Sequence, residues 1–192
     1  MLIPIIAIGA LVLYLVGTYN SFRTIETRIT ASIQEIGNQL KRQADLIPNL
    51  EASVKGYLKH EKAIFKQLTD ARKLIASAAK SGSTQKMVDA ASALSQVLPA
   101  LSIAVEDTPE LKAEKTVSKL MDELRDTADK VMYARRTLID LTADYNRMVV
   151  TVPSNFIATM FGFKAKPGLK TPDSGSHVEV ASADTKTPQV NL

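Results

Sequence analysis

The chain opens on an apolar run and then settles into a helical rhythm. Leu2 to Tyr19 reads LIPIIAIGALVLYLVGTY, and no charged side chain occurs in the first 22 residues. As a helix rising ~1.5 Å per residue, such a run of 18 residues reaches about 27 Å, close to the hydrocarbon thickness of a bilayer. Apolar positions then recur at steps of three and four. The first set is Phe22, Ile25, Ile29, Ile33, Ile36 and Leu40. The second is Leu50, Val54, Tyr57, Glu61, Ile64, Leu68, Ala71, Ile75 and Ala78. The third is Met87, Ala91, Leu94, Leu98, Leu101 and Val105. The fourth runs from Val117 through Leu120, Leu124, Thr127, Val131, Ala134, Leu138, Leu141, Tyr145 and Met148 to Val152. This alternation is the seam of helices packed at a shallow angle. Period-two alternation persists nowhere for more than a few residues.

The breaks between seams predict the connections. Pro48 ends or kinks a helix near Ile47, and Asn49 caps the next one. Ser81, Gly82 and Ser83 form a loop, with Thr84 as the N-cap of the third helix. Pro99 kinks that helix. Thr108 followed by Pro109 is a cap with proline at the first helical position, which opens the fourth helix. The pattern therefore predicts an all-α protein: a transmembrane helix over 1–21 continuing into an up-and-down four-helix bundle over 22–166. Residues 167–192 have proline, glycine and small polar residues without periodicity, and read as a disordered tail.

A cleaved signal peptide is the rival reading of the apolar run. It requires a basic segment before the core and small residues at a cleavage site. No Lys or Arg precedes this core, and Gly17-Thr18-Tyr19-Asn20 is a poor cleavage site, so we read an uncleaved anchor. Arg23, Arg28, Lys41 and Arg42 follow the span, which predicts a short N-terminus outside and a cytoplasmic body. The absence of cysteine fits a reducing compartment. Residues 23–167 carry 22 basic and 17 acidic side chains, a mild surplus that suits a domain near an anionic leaflet. It is too dilute for a nucleic-acid binder, and the ten Phe and Tyr residues form no stacking platform.

Candidate chemistry is sparse. Glu61 interrupts an otherwise apolar seam, beside His60 and one turn after Tyr57. Buried, it needs a partner such as Arg135 or Arg42, making a polar seam site of Tyr57, His60, Glu61 and Arg135. At an open end of the seam it is simply solvated, and that reading is the better of the two. The other histidine is His177 in the tail; no HExxH, no histidine pair and no cysteine supplies a metal site, and no cofactor is expected. The serines lie singly, without a base or a nucleophile elbow, so no enzymatic activity is expected. Lys41, Arg42, Asp45, Pro48 and Asn49 read first as a structural joint and second as a partner-binding elbow at the bundle end far from the membrane.

Met148 to Phe163 is again uncharged, reading MVVTVPSNFIATMFGF. Four crossings bring this segment back to the side from which the first helix entered. Phe156, Ile157, Met160, Phe161 and Phe163, followed by Lys164 and Lys166, compose a segment for the membrane interface, with lysines at headgroup level. Equally, these residues fold back and cap the core. About 12 residues are too few for a second span.

One stretch resembles a known family. QLKRQADLIPNL over 39–50, then Val54-Lys55-Gly56-Tyr57 and His60-Glu61, is similar to the signature of the LemA family. The resemblance extends over about 19–164, through Tyr19-Asn20, Ala71-Arg72, PELKA over 109–113, Ala134-Arg135-Arg136, Tyr145-Asn146, Pro153-Ser154-Asn155 and Gly162-Phe163. The chain departs from the family pattern at Ile33, where a Trp is usual, at Thr108, where a Tyr is usual, and at Leu138-Ile139, where a second Tyr-Asn is usual. The resemblance implies a bacterial, inner-membrane, single-pass helical protein without known catalytic activity; one branch of the family is associated with magnetosome membranes. Two functions follow as expectations. The first is a scaffold that presents its bundle to an unidentified protein partner, or to further copies as a homo-oligomer. The second is a membrane-organising protein that contacts membrane lipid through 152–163.

Overall fold

The computed structural model describes residues 2–57 and 62–170. They form six helices and, among the described residues, no strand: α1 (Leu2–Val54), α2 (Lys62–Ser81), α3 (Thr84–Glu106), α4 (Pro109–Ala113), α5 (Lys115–Val150) and α6 (Ser154–Phe161). The all-α class is as the pattern predicts.

The apolar run and the first bundle helix are one continuous helix. α1 has 53 residues and is roughly 80 Å long. Its apolar start is long enough to cross a bilayer and buries none of its residues in the protein. Phe22 is the first buried side chain. α3 meets the same criterion of length and apolarity, but half of its stretch packs into the core.

The joint expected at 45–49 is not there. α1 runs through Pro48 to Val54, and the turn lies at 55–57. Asn49 is no cap: its amide turns back to the carbonyl of Asp45 at 3.4 Å. An internal proline costs a helix ~3 kcal/mol or more. Here Ile47, Leu50 and Val54 are all fully buried on one face, and ending the helix at Ile47 would withdraw Leu50 and Val54 from the core. The buried positions Ile36, Leu40, Gln43, Ile47, Leu50 and Val54 keep an unbroken three-four step, so Leu50 and Val54 belong to the first seam.

Gln43 hides that continuity. It is 0 % exposed, and neither its amide nitrogen nor its amide oxygen finds a hydrogen-bond partner among the described residues. A buried amide without partners bears its full desolvation penalty, about 1–3 kcal/mol. Gln43→Leu keeps the side chain's approximate size and removes the orphan, so it should raise the unfolding free energy by about 1–3 kcal/mol. Urea titration checks this; a destabilised variant would mean that the amide is engaged.

α1 and α5 form the antiparallel main pair. Arg42 meets Glu123 at 3.4 Å toward the far end, and Tyr145 meets Glu26 at 3.2 Å near the anchor. α2 and α3 form a hairpin turned by Gly82, whose φ of +63° suits glycine. α2 lies on α1, where Thr69 reaches Glu51 at 3.3 Å, and α3 lies on α5, where Arg125 donates to Ser102 at 2.7 Å. The N-cap of α3 is Ser83, one residue before the expected Thr84; its Oγ accepts from the Lys86 N–H at 3.4 Å. Pro99 sits within α3, which continues to Glu106. Thr108 and Pro109 open only the five-residue α4, and Glu114 caps α5 by accepting from the Thr116 N–H.

Helix lengths decide what covers what. α5 spans 36 residues, roughly 54 Å, whereas α2 has 20 and α3 has 23, roughly 30–35 Å. The hairpin turn therefore stops beside Ile29 and Ile33 of α1 and Leu138 and Thr142 of α5. The anchor-proximal part of the main pair is covered by residues 154–170 instead. Residues 167–170, read from the sequence as tail, lie on the bundle, with Leu169 packed against the core and Lys170 bonded to Gln85. Residues 171–192 lie outside the described residues.

Candidate membrane-facing end of the bundle

α5 stops at Thr151, and α6 crosses the end of the main pair. Ser154 stitches the turn by donating its hydroxyl to the Met148 carbonyl at 2.7 Å. Gly162 at φ +74° ends α6 and turns the chain back, so that the Phe163 N–H reaches the Ala158 carbonyl at 2.9 Å. Ile157, Ala158 and Phe163 are buried. Phe163 stacks on Phe22 with ring centroids 4.5 Å apart, and Phe22 sits edge-on to Tyr145 at 5.6 Å. Tyr19, at the end of the apolar run, contacts the rings of Phe161 at 4.9 Å and Phe163 at 5.7 Å. The end of the fourth helix thus lies beside the residues that leave the anchor.

The expected interface segment divides between two surroundings. Ile157 and Phe163 go into the core, while Phe156, Met160 and Phe161 are 66, 68 and 50 % exposed, together with Val150 and Val152. An exposed apolar face and a core cap are two faces of one short helix. Lys164 is exposed. Lys166 is not a free headgroup lysine: its Nζ pairs with Glu26 at 3.1 Å and lies over the Tyr145 ring at 5.0 Å.

Glu26 is the polar centre of this end. It accepts from Lys166, from the Tyr145 hydroxyl and from Arg23, whose guanidinium also lies over the rings of Tyr19 and Phe163. Burial works to raise the Glu26 pKa, but hydrogen bonds and charge from Lys166, then Arg23 and Tyr145, outweigh it and hold the carboxyl below its ordinary 4.5. Burial first, then Glu26, pushes the Tyr145 phenol up to about 12 from 10.0. A depressed carboxylate contributes stability above its unfolded pKa and loses it as pH falls through the folded value. A raised phenol contributes below its unfolded pKa and loses it as pH rises toward its folded value. Melting temperature should therefore fall below pH 4.5 and again between 10.0 and about 12. Glu26→Gln should flatten the acid limb, and Tyr145→Phe the alkaline limb; unchanged limbs would sink this assignment.

Beyond Phe163 the chain becomes an extended strap held by side-chain amides. Asn146 donates to the Lys166 carbonyl and accepts from the Lys166 N–H, both at 2.8 Å. Gln85 accepts from the Lys170 N–H at 2.8 Å and donates to its carbonyl at 3.5 Å. Each clamp satisfies main-chain groups that a strand would otherwise pair.

A family model described as LemA family matches residues 32–182. The chain belongs to the LemA family. No curated protein matches it.

In this LemA chain the most characteristic stretch lies within the unbroken run of α1. Ile47 and Leu50 face the core, Lys41, Arg42, Asp45 and Asn49 are exposed, and Pro48 is half-buried. They form a helical face rather than an elbow. Of the polar seam site only Tyr57 and Arg135 are described, and these two stand apart. Tyr57 is exposed in the turn after α1, and His60 and Glu61 lie outside the described residues. Arg135 is half-buried next to Ala134, which shares a surface hollow with Ala31, Ser32 and Glu35, more than 20 residues along α1 from Tyr57. At ~1.5 Å per residue that is roughly 30 Å or more. Among the described residues no group of three His, Cys, Asp or Glu side chains is placed to hold a metal. The polar site that does form lies around Glu26, and Tyr145 on the fourth seam is its signal in the sequence: a buried phenol needs a hydrogen-bond partner.

Proposed function

We propose that this LemA-family chain is a non-enzymatic, membrane-anchored scaffold, its bundle held against a bacterial inner membrane at two points and offered to protein partners from the cytoplasmic side. One observation carries the reading. The unburied apolar start of α1 passes without a break into the bundle, and the exposed Phe156, Met160 and Phe161 return to the same level, beside Tyr19. An apolar face of that kind, next to a span, has the composition of an interfacial helix. It also favours the second reading, a protein that organises the membrane through this lipid contact.

The chain has no tryptophan, so one placed on α6 is a clean reporter. In the full chain reconstituted with brominated lipid, Met160→Trp should be quenched strongly and Tyr133→Trp, on the exposed side of α5, weakly. Equal quenching at both positions, or none at position 160, would remove the second attachment point. Crosslinking in native membranes separates the two functions: a discrete protein partner supports the scaffold, and contacts with lipid alone support the organiser.

A further inference from the structure

The strap does not fill the groove it crosses. Beneath it, between α1, α5 and the α2–α3 turn, lies a cavity of about 560 Å³. That is within the range of small-molecule sites, about 300–1,000 Å³. Ile29, Ile33, Leu138 and Leu169 supply an apolar wall. Thr142 lines the same cavity and is only 6 % exposed. Thr30 and Thr127 spend their hydroxyls on main-chain carbonyls of their own helices, whereas the Thr142 hydroxyl makes no hydrogen bond among the described residues. The Thr142 Oγ1 is not among the buried unpaired atoms, so it opens to the cavity and is free to bond a ligand there.

Charge narrows the ligand. Among the described residues, the ionisable side chains lining the cavity are Lys166 and Lys170, both cations. Glu26, which pairs with Lys166, is outside the lining. An apolar wall, an unpaired hydroxyl open to the cavity and two lysines, with no carboxylate among the described lining residues, fit a molecule with a hydrocarbon body and an anionic head. We propose that this cavity binds a fatty-acid anion, with the strap as its roof. The hydrocarbon lies along Ile29, Ile33 and Leu138. The carboxylate accepts from the Thr142 hydroxyl and faces the Lys166 ammonium, which has donors beyond the one given to Glu26. The bilayer is the source of the ligand, a clause that rests on the membrane reading; the binding itself does not.

The test uses the full chain, with labelled Ile, Leu and Val methyl groups, in neutral phosphatidylcholine nanodiscs. Dodecanoate, dodecanol and dodecylammonium are titrated in turn. Dodecanoate should give saturable shifts at Ile29, Ile33 and Leu138, and should bind at least ~10-fold more tightly than dodecylammonium. Thr142→Val, which keeps shape and fold, should weaken dodecanoate binding ~3–10-fold, and Lys166→Gln about 10-fold or more. Shifts confined to the anchor and to Val150 and Val152 would reduce the effect to partition at the surface and overturn the proposal. Equal affinity for the three amphiphiles, or unchanged binding by Thr142→Val, would overturn it as well. Quenching at position 160 is independent of every arm, so the cavity and the membrane contact fail separately.

Discussion

Phe22→Ala should lower the unfolding free energy by about 3–5 kcal/mol, the range for deleting a fully buried phenylalanine. Phe22 is 0 % exposed and stands where the apolar run becomes the bundle. Its ring carries Phe163 on one side and Tyr145 on another, and such aromatic pairs add ~0.5–1.5 kcal/mol each beyond their buried area. Losing it loosens α6 and the strap as well as α1, because Phe163, which joins the two, stacks directly on its ring. Phe161→Ala is the internal control. That ring is 50 % exposed and touches Tyr19, so its loss should cost less than ~1 kcal/mol. Urea unfolding of the full chain in mild detergent, followed by far-UV circular dichroism, compares the two. Equal costs would mean that the ring cluster does not hold the anchor-proximal end together.

The seams were legible because burial in a helix pair repeats every three or four residues, and Ile29, Ile36, Leu94, Leu124 and Leu138 are buried as their spacing implies. The first connection was not legible. Pro48 is a local breaker signal for a joint that the common burial of Ile47, Leu50 and Val54 overrides, and Gln43 puts a polar side chain at a core position between the two apolar sets. The strap was equally hidden. KAKPGLK over 164–170 reads as linker, and the groups that order it, Asn146 and Gln85, are 20 and 85 residues away from the positions they clamp. Glu26 was missed for the same reason, since its partners Tyr145 and Lys166 are brought to it only by the antiparallel pairing of α1 with α5. Periodicity reports which face of a helix is buried. It does not report which distant polar group arrives beside it.

α6 carries the sharpest case, because two adjacent residues should respond in opposite ways. FIATMF over 156–161 is apolar on every side, so its spacing alone cannot separate a face toward lipid from a face toward the core. The structure separates them at one peptide bond: Phe156 is 66 % exposed and Ile157 is 1 % exposed. Ile157→Asp places an unpaired carboxylate in the core and should cost about 3–5 kcal/mol, or leave the side chain protonated with a strongly raised pKa. Phe156→Ser removes only surface area and should change stability by less than ~0.5 kcal/mol. Interfacial contact should show the reverse order. With a tryptophan at position 160 as reporter, Phe156→Ser should reduce lipid quenching, because a large apolar residue has left the face that we propose meets the bilayer. A chain carrying Ile157→Asp should still sediment with membranes through α1, whose apolar stretch does not depend on bundle packing. If Phe156→Ser instead lowers the melting temperature as much as Ile157→Asp does, the exposed face is covered by protein, and the second attachment to the membrane falls with it.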